Sequence, residues 1–295
     1  GFCRSVYWWT ESRWPGHVQC SPRLVSVVIS SATIGPRGSG EPETTTDAFL
    51  GGRIELLQYK TGHRGGSDAV FLAAAVPARH GERVLDAGTG AGTAGLCLMA
   101  RVPGIRVTGV EIDNAQCVLA QKNAEWNGFG DQFHVIEADV TGPAEVLGDM
   151  GLIRETYDQV IANPPFFGEG AVRVTADASR ANAHVMPEGE LDRWARFLTT
   201  MARPRALLTL IHRAEFVGLL LDVLKDRFGA LTIYPLFPKQ GLPASRVIIR
   251  GRKNSRGSVQ LLPGLVLHEE DGAYTAEAEA VLRNGAPLPM GQPDP

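Results

Sequence analysis

The stretch that most constrains this chain is "LDAGTGAGTAG", residues 85–95. It leaves an apolar, strand-like run, "RVLDAG" at 83–88, and enters a helix expected over 91–101. Glycines at Gly88, Gly90 and Gly92 let the backbone turn tightly and come close to a ligand, and the helix N-terminus behind them favours polar or anionic groups. The same strand-then-helix unit recurs. Further strands are expected at 106–112, 133–139, 157–162 and 206–211, with helices at 114–127, 188–202 and 214–227. A strand pair at 230–236 and 245–251, joined by a Pro/Gly loop, closes the series. This alternation predicts a doubly wound α/β fold. Its sheet is mainly parallel and seven-stranded, with helices on both faces and a terminal antiparallel hairpin at or near an edge.

The flanks differ from this pattern. Residues 1–46 hold three of the five tryptophans and a linker, "GPRGSGEPETTT", with no helical or strand period. They are expected to form a poorly ordered extension ahead of a domain over 47–258. Residues 259–295 carry a short strand, a small helix and a Pro-rich end, and are expected to form an appendage. Cys3, Cys20, Cys97 and Cys117 make no CxxC pair and no metal-ligand spacing with histidine. That composition suits reduced thiols in a cytoplasmic protein and no metal site. Leu24–Ile29 is too short for a signal-peptide core, and no apolar run approaches the ~20 residues of a membrane span.

The glycine loop contains Gly90-x-Gly92-x-x-Gly95, a literal dinucleotide fingerprint. Two details point elsewhere. Asp86 stands at the strand end, where a carboxylate repels a pyrophosphate but accepts hydrogen bonds from an ammonium or water. The glycines also begin at Gly88, earlier than the dinucleotide register. Asp-x-Gly-x-Gly-x-Gly resembles class I S-adenosylmethionine (SAM) methyltransferases, whose cofactor has a cationic amino-acid end and no phosphate. Glu111, ending the second strand, is placed to accept from ribose hydroxyls, as it would in an NAD site too. Asp139, ending the third, is either an adenine acceptor or an ordinary strand-end cap. Asp113 reads as a helix cap. With Asn163, these acids converge on the carboxyl ends of the strands, where open α/β sheets bind ligands.

The fourth strand leaves through Asn163-Pro164-Pro165-Phe166. Two prolines impose a stiff, extended exit whose carbonyls enter no helix. The Asn163 amide oxygen and the Pro164 carbonyl form a pair of acceptors suited to the two hydrogens of an exocyclic amine, and Phe166 suits stacking on a flat base. Such a grip orients a weakly nucleophilic nitrogen toward a methyl group and needs no strong base.

The motif resembles the (D/N)PP(Y/F/W) signature of amino-methyltransferases. Over about 50–285 the chain is most similar to the bacterial tRNA1(Val) adenine-N6 methyltransferase family. The similar segments are "GHRGGSDAVFLAAAVP" (62–77), "LDAGTGAG", "YDQVIANPPFF", "LPASRVII" and "DGAYTAEAEAVL" (271–282). The resemblance implies a Rossmann-like fold, SAM as cofactor and RNA, namely tRNA, as partner. It also places Gly66, Ser67, Asp68 and Lys60 near the methionine end of SAM. The residues alone show there only a Gly-rich turn before an apolar helix.

The net charge of −3 does not advertise a polyanion partner, but 201–256 holds eleven Lys+Arg against three Asp+Glu. Arg246, Arg250, Arg252, Lys253 and Arg256 crowd one strand end, either as a phosphate-binding patch or as a solvated edge that resists aggregation. Arg173 and Arg180, after the Asn-Pro-Pro-Phe motif, are candidates to contact substrate; His184 reads as structural. The expected activity is methyl transfer to the exocyclic amine of an RNA base, adenine N6 in tRNA. Protein glutamine N5, guanine N2 in rRNA, and a non-catalytic RNA-binding scaffold are the alternatives.

Overall fold

The structure is a computed structural model that describes residues 43–62, 64–142, 144–165 and 189–291. The chain opens with an antiparallel hairpin of β1 (Thr44–Phe49) and β2 (Ile54–Tyr59). Then follow α1 (Ser67–Ala75), β3 (Arg83–Ala87), α2 (Thr93–Arg101), β4 (Arg106–Glu111), α3 (Asn114–Trp126) and β5 (Phe133–Glu137). A short α4 (Ala144–Asp149) leads to β6 (Tyr157–Ala162), then α5 (Glu190–Met201), β7 (Ala202–Arg213), α6 (Val217–Leu224), β8 (Phe228–Lys239) and β9 (Arg246–Lys253). The chain ends with β10 (Gln260–Leu261), β11 (Leu265–His268) and α7 (Ala276–Asn284).

The main sheet runs β10-β8-β9-β7-β6-β3-β4-β5, with β11 also on β8, and so has nine strands. The seven expected strands are all present; β10 and β11 add to them because both pair in parallel with the outer side of β8. The antiparallel element is β9, inserted between β7 and β8. The β8–β9 hairpin therefore lies near one edge of the sheet, as expected, with only the short β10 and β11 outside it among the described residues. β3, β4, β5, β6 and β7 pair in parallel, and β3 is buried on both faces from Val84 onward, as helix-covered parallel strands are.

Helix α5 is amphipathic: Leu191, Trp194, Ala195, Phe197, Leu198 and Met201 form its buried stripe. Helix α1 is buried from Ala69 through Ala75, because α2 and α7 pack against it. Helix α7 is capped by the Thr275 hydroxyl, which accepts from Ala278 N–H at 3.2 Å, and places Ala278 and Val281 in the core. Residues 260–291 are thus built into the main sheet and core rather than appended. At the other end, β1 begins at Thr44, inside the segment expected to be irregular. The rest of that segment, 1–42, lies outside the described residues.

Candidate active site

The parallel register aligns the strand ends: Ala87 pairs with Val110 on one side and with Ala162 on the other. Asp86, Glu111, Asp139 and Asn163 therefore reach the same rim of the sheet.

The glycine loop is pinned from below. Gly88 and Thr89 both donate backbone N–H to the Val110 carbonyl, at 2.8 and 3.1 Å. Thr89 Oγ1 donates to Asp86 Oδ2 at 2.7 Å, and Gly95 N–H reaches the same oxygen at 3.2 Å. Gly88 has φ +67°, and a Cβ there would lie 2.6 Å from Cη2 of Trp194. Only glycine meets both requirements. The indole of α5 thus lies directly against the loop.

Asp86 is buried, and burial pushes its carboxyl up to about 7, against the Thr89 and Gly95 hydrogen bonds, with the nearby Glu111 charge adding to the rise. It holds the loop and also lines a small cleft shared with Gly65, Gly88, Gly90 and Asn163. A cation bound in that cleft would favour the ionised form.

That cleft adjoins a cavity of about 480 Å³, lined among others by Tyr59, Gly88, Glu111, Asp139, Asn163, Pro165 and Trp194. This size lies within the ~300–1,000 Å³ usual for small-molecule sites. Glu111 Oε2 accepts from Gly90 N–H at 2.9 Å, and Oε1 accepts from Ile112 and Asp113 N–H at 2.8 and 3.0 Å. Asp139 Oδ1 accepts both the N–H and the hydroxyl of Thr141, each at 2.7 Å. Asp113 caps α3 by accepting from Ala115 N–H. Asn163 Oδ1 is buried and has no hydrogen-bond partner among the described residues. Pro164 is buried and Pro165 is exposed. Phe166, Arg173, Arg180 and His184 lie outside the described residues.

Residues 66–201 match the methyltransferase small domain family. The chain is 26% identical over 253 residues to the tRNA1(Val) (adenine(37)-N6)-methyltransferase of Dickeya chrysanthemi, spanning 81% of this chain and 96% of that one. It is 31% identical over 134 residues to the enzyme of the same name from Yersinia pestis, spanning 43% of this chain and about half, 52%, of the relative. A solved structure described as a predicted O-methyltransferase from Agrobacterium tumefaciens superposes with a TM-score of 0.63 at 28% identity, covering 75% of this chain and 98% of that one. The protein is a SAM-dependent methyltransferase.

The site fits the cofactor on its own terms. The methyltransferase offers a cleft with the Asp86 carboxylate and an adjoining cavity with the Glu111 and Asp139 carboxylates on its wall, acceptors of the kind a cationic, hydroxyl-bearing cofactor needs. Gly88 supplies a floor without a side chain. Several wall residues were not legible as such. Tyr59 arrives from the end of β2 and Thr61 and Gly62 from the bend after it, Glu190 and Trp194 from α5, and Ile112, 65% exposed, stands beside Glu111. The sequence signal was weak, since "IELLQY" alternates apolar and polar only over Ile54-Glu55-Leu56; the structure buries Ile54, Leu56 and Gln58 on one face, as in a half-buried strand.

The segment ahead of β3 meets several different partners. Asp68 accepts from Arg246 Nε at 2.8 Å. Ser67 lines a different cavity, with Gly51 and Tyr274. Lys60 bonds the exposed Glu43 at 2.7 Å. Gly65 lines the cleft and packs so closely on Thr93, the first residue of α2, that a Cβ there would collide with it.

The basic cluster is also placed otherwise than expected. Arg250 is 4% exposed, and its Nη2 donates to the Met290 and Gly291 carbonyls at 2.7 and 2.8 Å. Lys253 is buried and donates to Glu155 Oε1 at 2.9 Å and to the Ala202 carbonyl at 2.7 Å. Arg252 donates to the Arg205 carbonyl at 2.9 Å. Arg250 and Lys253 are thus held inside the fold by backbone carbonyls and by Glu155, whereas Arg246 and Arg252 are half-buried. Only Arg256 of the run is exposed.

Proposed function

We propose that this methyltransferase modifies the N6 amine of an adenine in tRNA. The observation that carries the reading is the buried Asn163 Oδ1, which has no hydrogen-bond partner among the described residues and stands at the wall shared by the cleft and the cavity. A buried acceptor without a donor costs about 1–3 kcal/mol; an exocyclic amine entering beside it removes that cost. The Pro164 carbonyl, next along the stiff exit of β6, takes the second hydrogen. The two acceptors aim the nitrogen lone pair and stabilise positive charge as it develops on that nitrogen. Phe166 is read from its place in the motif as the ring that stacks on the base.

Asp86 and the cleft hold the amino-acid end of SAM, Glu111 the ribose, and Asp139 and Ile112 the adenine edge and face. Bound SAM supplies an electrophilic methyl group. The protein's task is to hold the amine within reach of it and keep water out. The relatives named as tRNA adenine-N6 methyltransferases support the choice of base. A hydroxyl acceptor fits less well, because it has a single hydrogen and requires a base to remove it. No helix among the described residues is long and apolar enough to cross a membrane, and the reading places the enzyme in the cytoplasm with its tRNA.

The test is methylation of total tRNA with labelled SAM, followed by nucleoside analysis. N6-methyladenosine is the expected product. Label confined to protein, to guanine N2 or to ribose hydroxyls overturns the reading.

A further inference from the structure

An enzyme that acts on RNA needs cations facing the phosphodiester chain, yet this chain has a net charge of −3, and Arg250 and Lys253 of its expected basic run are buried. A second cavity, of about 460 Å³, lies along α5 and shares Val140 and Thr141 with the main one. Its wall carries Arg193, Arg196 and Arg227 and, among the described residues, no carboxylate. Asp192 sits behind them: its Oδ2 accepts from Arg196 Nε at 2.7 Å and its Oδ1 from Arg227 Nη2 at 2.8 Å. One carboxylate thus serves two guanidinium groups. Arg193 is exposed and acts electrostatically on Glu190, which belongs to the main-cavity wall. The Thr199 and Thr200 hydroxyls donate back to the Ala195 and Arg196 carbonyls, so the arginines are what the wall offers an anion.

Helix α5 links the two cavities. Glu190 and Trp194 line the main one, and Arg193, Arg196 and Phe197 line the second; the two sets interleave along α5, so adjacent residues such as Arg193 and Trp194 serve different cavities. We infer that the arginine cavity receives a backbone phosphate of the RNA whose base enters the main cavity. Guanidinium groups suit this task because their planar forks bond phosphate oxygens in pairs. Arg227, held by Asp192 and by the Val223 carbonyl, is the fixed member; Arg193 and Arg196 are the adaptable ones. The inference rests on the RNA reading above.

The experiment uses the full chain and unmodified tRNA, with binding measured from about 50 to 200 mM salt. Arg193→Gln is expected to lower the slope of log K against log salt by about one, and Arg193→Gln with Arg196→Gln by about two. The double variant is expected to bind tRNA at least ~10-fold more weakly at 100 mM salt, with SAM affinity and melting temperature unchanged. Lys225→Gln, an exposed cation outside the cavity wall, is expected to leave the double variant's loss unmatched. Unchanged slopes in both arginine variants, while wild type still methylates tRNA, overturn this inference alone. If wild type neither binds nor methylates tRNA, the proposed function falls with it.

Discussion

Asn123 on α3 pairs with Leu57 on β2 as a neighbouring strand would: its Oδ1 accepts from Leu57 N–H at 2.8 Å, and its Nδ2 donates to the Leu57 carbonyl at 3.0 Å. The same Nδ2 also donates to the Ala91 carbonyl, at 2.9 Å. One fully buried amide therefore closes the open edge of the β1–β2 hairpin and ties it to the glycine loop. Asn127 repeats the device one turn later on Glu55. Asn123→Ala leaves three backbone groups unmet and is expected to cost ~2–4 kcal/mol. Urea unfolding gives the stability and calorimetry the SAM affinity; both are expected to fall together. Loss of stability with SAM binding intact would show that the clamp does not shape the loop.

Trp194 packs where a Gly88 side chain would stand. Gly88→Ala meets both the positive φ and the indole 2.6 Å away. The expected cost is ~1–3 kcal/mol of stability, with SAM binding weakened more than tenfold as the loop or the ring shifts into the cavity. A SAM titration that matches wild type would remove Gly88 from the cofactor floor.

Asn163→Ala is expected to lower kcat by about 10²–10³ and leave SAM affinity unchanged. Asn163→Asp keeps an acceptor oxygen at the same place and is expected to retain more turnover than the alanine variant. Single-turnover methylation of tRNA measures this directly; equal turnover in all three proteins would sink the two-acceptor mechanism.

Arg250 is a structural cation rather than an RNA contact. Arg250→Met strands the Met290 and Gly291 carbonyls, and the melting temperature is expected to fall by several degrees, for ~1–3 kcal/mol lost. The salt slope of tRNA binding is expected to stay at the wild-type value. A changed slope with unchanged melting would return β9 to the RNA surface.

Asp86 sets a pH dependence whose sign is fixed by burial. Its carboxyl is raised to about 7 in the folded protein, from an ordinary 3.8. Between those values the folded state holds a proton that the unfolded state lacks, so this group's contribution to stability falls as pH rises through the window and levels off above about 7. Asp86→Asn cannot ionise, and its stability relative to wild type is expected to improve from pH 5 to pH 8 by chemical denaturation. SAM affinity of wild type is expected to rise over the same window, because the ammonium favours the ionised carboxylate; the asparagine variant should lack that rise.

Much of this was legible from local pattern. The apolar runs at Arg83–Ala87, Arg106–Glu111 and Tyr157–Ala162 and the helices between them declare their period. The polar residue at the end of each strand follows from the rule that ligands bind at that rim. The motif at Asn163 was legible because two prolines after a strand have few other uses. The hairpin of β1 and β2 was missed because the segment around it carries linker-like composition, and its outer edge is closed by side chains of α3 that lie more than sixty residues away.

By itself the amino-acid sequence determined the strand–helix alternation, the glycine turn and the stiff exit at Asn163-Pro164-Pro165, because each depends on backbone geometry within a few residues. Only the tertiary structure decided which charges meet solvent. Arg246 and Arg250 are equally basic in sequence, but one salt-bridges Asp68 and the other is buried on the Met290 and Gly291 carbonyls. Three arginines scattered over 193–227 come together on one cavity wall. Charge is a property of the residue, whereas its exposure and its partner are properties of how strands and helices pack, and those contacts join residues far apart along the chain.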